Sequence, residues 1–344
     1  MTSATSLLEI KNLRKWFPVQ RGFFKRTVGY VKAVDGVSLV IQPGETLGVV
    51  GESGSGKTTL GRCVLRLYEL TDGEIWLRDG ERMLPVHELE GKELRAFRRN
   101  AQMIFQDPYS SLNPRMNVLE TVGEPLLVNN VAKGKELEDR VTEVILQVGL
   151  RVEHLRRFPH SFSGGQRQRI GIARALVVRP KLVVADEPVS ALDVSIQAQI
   201  LNLLKDLQAE YRLTYIFITH AMSVVRYMAD RIAVMYAGKL VEVADKESLL
   251  THPRHPYTEA LLAAVPRTTS GRNVKRVVSV GEVPDLANLP SGCVFHPRCK
   301  YAVERCKVEE PELRELDGQL VKCHLAEQLT LRGIGPSPNG AGKG

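Results

Sequence analysis

The sequence lacks any long hydrophobic run. No segment of its 344 residues approaches the roughly 18 consecutive apolar residues that a membrane-spanning helix needs. The first residues, MTSATSLLEIKNLRKWF, contain no basic region followed by an apolar run, so we expect no secretory signal. Cysteine is scarce, with five residues, and we expect reduced thiols in a cytosolic protein rather than a disulfide framework.

Long basic runs are absent as well, although the net charge is +8. Lysine and arginine number 47 against 39 aspartates and glutamates, and pairs such as Arg98-Arg99 and Arg156-Arg157 are scattered along the chain. Proteins that bind nucleic acid concentrate basic residues in a patch or stripe, so we expect no direct nucleic-acid binding. The surplus charge suits solubility or a surface beside anionic lipid headgroups.

The hydrophobic pattern predicts short buried strands that alternate with helices, which is typical of an α/β fold with a mostly parallel sheet. Residues 117–149 show only helical patterns and predict an all-helical insert. A proline-rich appendage begins near residue 251. The predicted strands are 7–10, 37–41, 46–50, 74–77, 103–105, 182–185, 215–219 and 232–236, with a loop or hairpin at 18–30; the predicted helices are 57–68, 88–99, 166–178, 196–210 and 222–229.

A glycine-rich segment, residues 51–58, has the spacing G-x-x-x-x-G-K-[ST] between a predicted strand and a predicted helix. Its glycines allow consecutive backbone N–H groups to turn toward bound phosphates, and the following helix adds its N-terminal dipole. Lys57 would neutralise phosphate charge and the Thr58 hydroxyl would ligate Mg²⁺. This pattern predicts a nucleoside triphosphate site.

Two acidic residues, Asp186 and Glu187, follow the apolar strand predicted at 182–185. The carboxyl end of a parallel strand faces the ligand crevice of an α/β fold. Asp186 would hold Mg²⁺ through water, and Glu187 would act as the general base for an attacking water. Beside the phosphate loop, we prefer this interpretation to two solvated acids at a strand end.

The segment Ser163-Gly164-Gly165-Gln166 precedes a predicted helix, and Ser163 is a good N-cap residue. The segment is either a cap with a flexible turn or a second anion-binding helix N-terminus. Taken alone, the tetrapeptide does not decide between them.

The order and spacing of these motifs closely resemble the nucleotide-binding subunits of ATP-binding cassette (ABC) transporters. The resemblance includes Gln106 after a strand, residues 190–193 (SALD) and His220 after another strand, which match the family's Q-loop, D-loop and switch histidine. It implies a P-loop NTPase (RecA-like) nucleotide-binding domain of the α/β class. The implied organisation is a cassette at 6–250 with a helical subdomain at about 108–165, a loop-rich C-terminal extension at 251–330 and a disordered tail at 331–344.

The resemblance also implies a head-to-tail dimer that encloses two ATP molecules, each between one subunit's phosphate loop and the other's Ser163 segment. Glu187, His220 and Gln106 would be catalytic, and Asp193 would reach across the dimer. Adenine would stack on Phe17 or, as the alternative, on Trp16. The implied ATP-binding residues are Phe17, Gly51, Ser53, Gly54, Ser55, Gly56, Lys57, Thr58, Thr59, Ser163, Gly164, Gly165, Gln166 and Asp193; the implied Mg²⁺ ligands are Thr58, Gln106 and Asp186.

Three local features narrow the resemblance to the ATPase subunits of bacterial dipeptide and oligopeptide importers, and most closely to the second ATPase of the dipeptide system. They are residues 106–114 (QDPYSSLNP), residues 161–169 (SFSGGQRQR) and residues 255–258 (HPYT) before a cysteine-containing tail. Phe162 stands where many cassettes have leucine, an apolar replacement that leaves phosphate contacts unaffected.

Four cysteines fall late in the chain with the spacing C-x₅-C-x₆-C-x₁₆-C, at Cys293, Cys299, Cys306 and Cys323. Zinc ribbons use closer pairs and ferredoxin runs are tighter, so the spacing predicts only a possible four-thiolate site. The family resemblance implies a [4Fe–4S] cluster, with zinc second and free thiols third. The neighbouring His296 and His324 are rival ligands.

The resemblance implies a subunit that hydrolyses ATP to power di- or oligopeptide import, attached peripherally to the cytoplasmic face of the inner membrane. Its implied partners are two transmembrane permeases, a sister ATPase and, through the complex, an extracytoplasmic peptide-binding protein. The alternatives are the same role for a nickel chelate, glutathione or heme, or a soluble ABC ATPase in DNA repair or translation.

Overall fold

The computed structural model describes residues 6–22, 26–264 and 284–334. Within these residues the strands form an eight-stranded sheet in the order β11-β12-β10-β9-β3-β8-β7-β6 and a four-stranded sheet in the order β2-β1-β4-β5. The strands are β1 (Leu8–Arg21), β2 (Arg26–Ile41), β3 (Thr46–Val50), β4 (Asp72–Asp79), β5 (Arg82–Pro85), β6 (Ala101–Ile104), β7 (Leu182–Asp186), β8 (Thr214–Thr219), β9 (Arg231–Tyr236), β10 (Lys239–Asp245), β11 (Arg314–Leu316) and β12 (Gln319–Val321).

Helices cover both faces of the larger sheet and build the insert. The α-helices are α1 (Lys57–Val64), α2 (Gly91–Asn100), α3 (Val118–Val128), α4 (Gly134–Gln147), α5 (Gly164–Leu176), α6 (Val194–Tyr211), α7 (Met222–Met228), α8 (Lys246–Thr251), α9 (Pro256–Ala263) and α10 (Glu304–Val308). None of the described helices is long and apolar enough to cross a membrane.

The centre of the larger sheet is parallel, as the sequence predicts. Strands β9, β3, β8, β7 and β6 run in the same direction, and every residue of β3, β7 and β8 is buried. Burial on both faces explains why these strands read as continuous apolar runs. Their carboxyl ends meet at one edge, where the phosphate loop also begins.

The prediction of a mostly parallel sheet was wrong for the N-terminal strands. β1 pairs antiparallel with β2 and with β4, and β4 pairs antiparallel with β5, in a separate sheet. For the segment 18–30, predicted as a loop or hairpin, the described residues 18–21 and 26–30 pair antiparallel as a hairpin, and residues 23–25 lie outside the described part. Burial is concentrated at the start of β1 and toward the end of β2, while the other halves of both strands are mostly exposed or half-buried.

Between β6 and α5 the described chain contains helices and turns but no strand, as predicted for the insert. α3 begins after Asn117, whose side chain accepts a hydrogen bond from the Glu120 backbone N–H, while Glu120 accepts one from Asn117. This reciprocal capping satisfies two helix-end donors. The apolar faces of α3 and α4 join α5 and α6 in one core cluster.

The C-terminal part shares a core cluster with the cassette and adds a small cluster of its own around Val321, Cys323 and Ala326. β12 pairs with β10 and so extends the larger sheet. One hydrophobic cluster combines Val50 and Tyr236 with Tyr257, Phe295 and other residues of the extension. The tail predicted to be disordered from residue 331 is placed as far as 334, where Ile334 is buried; residues 335–344 lie outside the described residues.

Candidate functional site

The phosphate loop has the backbone that its glycines predict. Gly51 follows β3 directly, and Gly56 precedes α1 with φ +101°. A Cβ atom at Gly56 would lie 2.0 Å from the Ala33 carbonyl oxygen, and one at Gly51 would lie 2.2 Å from that of Met235. These two positions therefore require glycine for close backbone approach as well as for conformation.

Lys57 directs its ammonium group into this loop. Its Nζ donates hydrogen bonds of 2.8 Å to the backbone carbonyls of Gly51 and Glu52. Burial lowers the pKa of Lys57, although the nearby carboxylates of Glu187 and Asp186 act in the opposite direction. A buried cation surrounded by loop backbone is suited to bind phosphate oxygens through charge-assisted hydrogen bonds.

Thr58 and Asp186 form the second part of the site. The Thr58 hydroxyl donates a hydrogen bond of 2.8 Å to Asp186 Oδ1 at the end of β7. Burial raises the pKa of the Asp186 carboxyl, and the hydrogen bond from Thr58 partly offsets that effect. A hydroxyl and a carboxylate oxygen brought together beside the loop form the hard oxygen donor set that Mg²⁺ prefers.

Glu187 lies at the centre of a group that comes from three neighbouring strands. Its Oε2 accepts from Gln106 Nε2 at 3.0 Å, and its Oε1 lies 3.0 Å from His220 Nδ1. The Glu187 side chain is 14% exposed. Its backbone has φ +46°, an uncommon conformation for a residue other than glycine. A hydrogen bond from its N–H to the Ile218 carbonyl holds it there.

The Ser163 segment makes its described side-chain hydrogen bonds within its own helix start rather than with the phosphate loop of the same chain. Ser163 caps α5, accepting from the Gln166 N–H while Gln166 accepts from the Ser163 N–H. Among the described residues no hydrogen bond joins 163–166 to 51–59. Asp193 is exposed at the start of α6 and its side chain makes no capping bond. Within one chain, the two segments predicted to bind ATP therefore do not bond to each other.

Comparison with known proteins shows where this arrangement belongs. The family described as "ABC transporter" matches residues 34–190, and "Oligopeptide/dipeptide transporter, C-terminal region" matches 241–306. The oligopeptide transport ATP-binding protein AppF of Bacillus subtilis is 50% identical over 94% of this chain and 99% of that protein. The chain belongs to the ABC transporter ATP-binding proteins.

Other relatives agree with this family. The dipeptide transport ATP-binding protein DppF of Escherichia coli is 46% identical, over 94% of this chain and 95% of that protein. A dimeric structure of MJ0796, a bacterial ABC transporter cassette, matches with a TM-score of 0.61 and 30% identity, over 70% of this chain and 99% of that one. This confirms the predicted P-loop cassette fold and ATPase class; ATP and Mg²⁺ are the general cofactors of such ATPases.

The structure does not separate the two aromatic residues predicted to stack on adenine. In this ABC ATPase Phe17 packs edge-on against Tyr68 at 5.5 Å, with the Lys15 ammonium 5.0 Å from its ring. Trp16 donates its indole N–H to Asp35. Both rings are partly exposed on opposite sides of β1, so the adenine contact stays a prediction.

Of the other predicted phosphate-loop residues, Ser53 and Gly54 are exposed, Ser55 is buried, and Thr59 is half-buried on α1.

The four late cysteines lie around one small cavity, which His296 and His324 also line. Burial raises the pKa of Cys293 to about 11 and of Cys323 to about 12, so both thiols are protonated without a bound cation. In the described residues no group of three or more His, Cys, Asp or Glu side chains has the arrangement of a metal site. The predicted cysteines are thus neighbours, but no metal geometry is formed.

The sequence prediction missed the contacts that join the extension to the phosphate loop. The Glu52 N–H donates to the Tyr257 hydroxyl at 2.8 Å, and the Glu52 carboxylate pairs with Arg298. His255 caps α9 by accepting from the Tyr257 N–H. The HPYT motif was recognised as a family signature, but its contact with the loop has no local signal in the sequence.

Proposed function

We propose that this chain is the ATP-hydrolysing subunit of an importer for di- or oligopeptides. The observation that carries the peptide assignment is the match of residues 241–306 to the oligopeptide/dipeptide transporter C-terminal region. The names of the relatives AppF and DppF, which describe oligopeptide and dipeptide transport, support it. The cassette at 6–250, with its insert at about 108–165, supplies energy, and the extension at 251–330 marks the importer class.

Hydrolysis is assigned to the group around Glu187. Its carboxylate takes a proton from the attacking water, and Gln106 and His220 hold the carboxylate in place from either side. Thr58, Asp186 and Gln106 would ligate Mg²⁺, which neutralises developing phosphate charge. Lys57 and the loop N–H groups hold the phosphates, so the reaction depends on positioning as well as on the base.

The active form is proposed to be a head-to-tail dimer, because no described hydrogen bond joins the Ser163 segment to the phosphate loop within one chain. The surface beside Asp193 carries Val194, which is 81% exposed. Tyr109, 60% exposed, lies near the Ser163 segment, with its hydroxyl 3.8 Å from the Cβ position of Gly164. The related cassette MJ0796 is dimeric in a state bound to ADP and Pi. Two such surfaces would close on two ATP molecules and reopen after hydrolysis.

The proposed partners are two transmembrane permeases, a sister ATPase that completes the dimer, and an extracytoplasmic peptide-binding protein in the same complex. The irregular segment at 106–117, which begins at Gln106 beside the base, would receive the cytoplasmic helices of the permeases. The proposed location is therefore the cytoplasmic face of the inner membrane, as a peripheral subunit. Movement of Gln106 would then link membrane contact to the attacking water.

The four cysteines are proposed to hold a [4Fe–4S] cluster. What supports this is the residue types alone: four cysteines line one cavity, and iron–sulfur clusters are held by four cysteine thiolates, although the described thiols do not have the arrangement of a metal site. A bound cation would reverse the rise in thiol pKa that burial causes. Iron, sulfide and zinc analysis of anaerobically purified full chain tests this. Iron and sulfide with absorbance near about 400 nm support the cluster; zinc alone, or neither metal, overturns it.

The transport function is tested by reconstitution. The chain is purified with its permeases and sister ATPase, placed in liposomes with the binding protein, and supplied with labelled dipeptide and ATP. Uptake that disappears in Lys57→Ala supports the proposal. Uptake of a nickel chelate, glutathione or heme but not of peptide overturns the peptide assignment. Failure to assemble with permeases, together with DNA-stimulated ATPase activity, overturns the transporter role.

A further inference from the structure

Glu52, in the phosphate loop, is held by residues that follow the cassette. Its backbone N–H donates to the Tyr257 hydroxyl at 2.8 Å. Its carboxylate accepts two hydrogen bonds from Arg298, Nη1 to Oε2 at 2.7 Å and Nη2 to Oε1 at 2.9 Å. Lys57 bonds the carbonyl of the same residue. Glu52 is therefore fixed at its backbone and its side chain. Two of the three side chains that bond to it, Tyr257 and Arg298, belong to the C-terminal extension.

The Arg298–Glu52 pair is directional and partly shielded from water. The Arg298 side chain is 8% exposed and that of Glu52 is 27% exposed. The guanidinium lies beside the rings of Tyr236 and Phe295, 5.7 and 5.9 Å from their centroids. The Glu52 carboxylate raises the pKa of Arg298, so the arginine stays charged. A two-point charged hydrogen bond fixes orientation as well as distance.

Arg298 belongs to the cysteine segment, residues 293–306. It ends a one-turn 3₁₀ helix and directly precedes Cys299, whose N–H donates to the His296 carbonyl. The Cys293 N–H donates to the Cys306 carbonyl, which closes the segment on itself. The position of the Arg298 guanidinium therefore depends on how the cysteine segment packs.

We propose that Arg298 is a positioning residue for the phosphate loop, through which the C-terminal extension sets the affinity for ATP. By fixing Glu52, it fixes the backbone that carries the loop N–H groups and the carbonyl that holds Lys57. In this role Arg298 acts through Glu52 rather than on the nucleotide itself. The inference rests on the proposed function, because it takes residues 51–58 as the ATP site. A purely structural Arg298 would change the stability of the fold without changing the affinity for nucleotide.

The test measures ATP dissociation constants and steady-state kinetics on the full chain. Arg298→Gln is expected to raise the Kd and KM for ATP about fivefold, at the lower end of couplings between sites, with a smaller change in kcat. Arg298→Lys keeps the charge but not the fork and should restore part of the affinity. The matched control is Arg305→Gln, which removes a two-point pair with Glu309 in the same segment, away from the loop.

Glu52→Gln changes the other partner of the same ion pair. It provides the test if Arg298→Gln does not fold. It should raise the Kd as Arg298→Gln does, and the double variant should be no worse than either single one. Unchanged ATP affinity in both single variants, additive effects in the double variant, or an equal effect of Arg305→Gln would overturn the proposal. If neither the wild-type chain nor Lys57→Ala binds ATP, the result contradicts the proposed function rather than the role of Arg298.

Discussion

Replacing Glu187 by glutamine should stop ATP hydrolysis while leaving ATP binding and the fold intact. The two carboxylate oxygens each face one side chain at 3.0 Å, Gln106 on one side and His220 on the other. A glutamine amide has the same shape. Its oxygen can accept from Gln106, and its N–H can donate to His220 Nδ1 when the imidazole proton is on Nε2. The substitution removes the basic oxygen but keeps both neighbours bonded.

The substitution should change the rate of hydrolysis far more than the free energy of unfolding. A positioned general base contributes about 10²- to 10⁴-fold to a rate, equal to roughly 3 to 5 kcal/mol of activation free energy. The hydrogen bonds change in charge but not in number, so the free energy of unfolding should fall by only about 1 kcal/mol. Because hydrolysis no longer releases the γ-phosphate, the ATP-bound dimer should accumulate.

The assay compares phosphate release at saturating Mg·ATP, the Kd for ATP, the dimer fraction in size-exclusion chromatography, and thermal unfolding. Glu187→Ala is the comparison that also removes both hydrogen bonds, and Glu153→Gln, an exposed carboxylate in the insert, is the neutral control. A Glu187→Gln variant that keeps more than about a tenth of wild-type turnover would contradict the base assignment, since a base contributes at least about 10²-fold.

Three further variants test the loop and the extension. Lys57→Ala should weaken ATP binding at least about tenfold, measured by nucleotide titration, because charged hydrogen bonds to phosphate are lost. Gly56→Ala should lower the free energy of unfolding by about 1 to 3 kcal/mol and weaken ATP binding, because its Cβ would collide with the Ala33 carbonyl. Burial raises the pKa of the Glu242 carboxyl to about 7. The folded chain then keeps a proton that the unfolded chain releases from about pH 4.5 upward, so the contribution of Glu242 to stability falls as pH rises toward 7. Glu242→Gln should flatten this fall when unfolding midpoints are compared at pH 5 and 8; an unchanged slope would contradict it.

The part of the site that the sequence predicted depends on one property of parallel sheets. β6, β7 and β8 are adjacent, so the residues that follow them, Gln106, Glu187 and His220, come together at the same edge. The strand pattern indicated Glu187, the family resemblance identified Gln106 and His220, and the parallel order brings the three together. The phosphate loop was equally predictable, because its requirements for glycine are local.

The rest was not predictable because its contacts are distant in sequence. Glu52 and Arg298 are 246 positions apart, and neither belongs to a pattern that indicates a partner. The N-terminal segments read as strands, but a strand pattern does not say which sheet a strand joins or in which direction it pairs. β5, β10, β11 and β12 were not predicted; β11 and β12 have only three residues each, too few for a periodic signal.

Phe295→Ala tests whether the extension and the cassette are one folding unit. Phe295 is 2% exposed and packs on Tyr236 of β9 at 5.1 Å and on Tyr257 of α9 at 5.4 Å. Loss of a buried phenylalanine costs about 3 to 5 kcal/mol. The matched control is Val308→Ala, on α10 of the same extension and 78% exposed, which should change little.

The chain contains two tryptophans, Trp16 and Trp76, and both lie in the N-terminal sheet, so tryptophan fluorescence reports on the cassette alone. If one core joins the two parts, Phe295→Ala shifts the fluorescence transition and the circular-dichroism transition to the same lower denaturant concentration. If the extension folds independently, the fluorescence transition stays at its wild-type midpoint while part of the circular-dichroism signal is lost earlier. That second result would contradict the shared core. It would also contradict the proposal that the cysteine segment positions the phosphate loop, which requires the two parts to fold together.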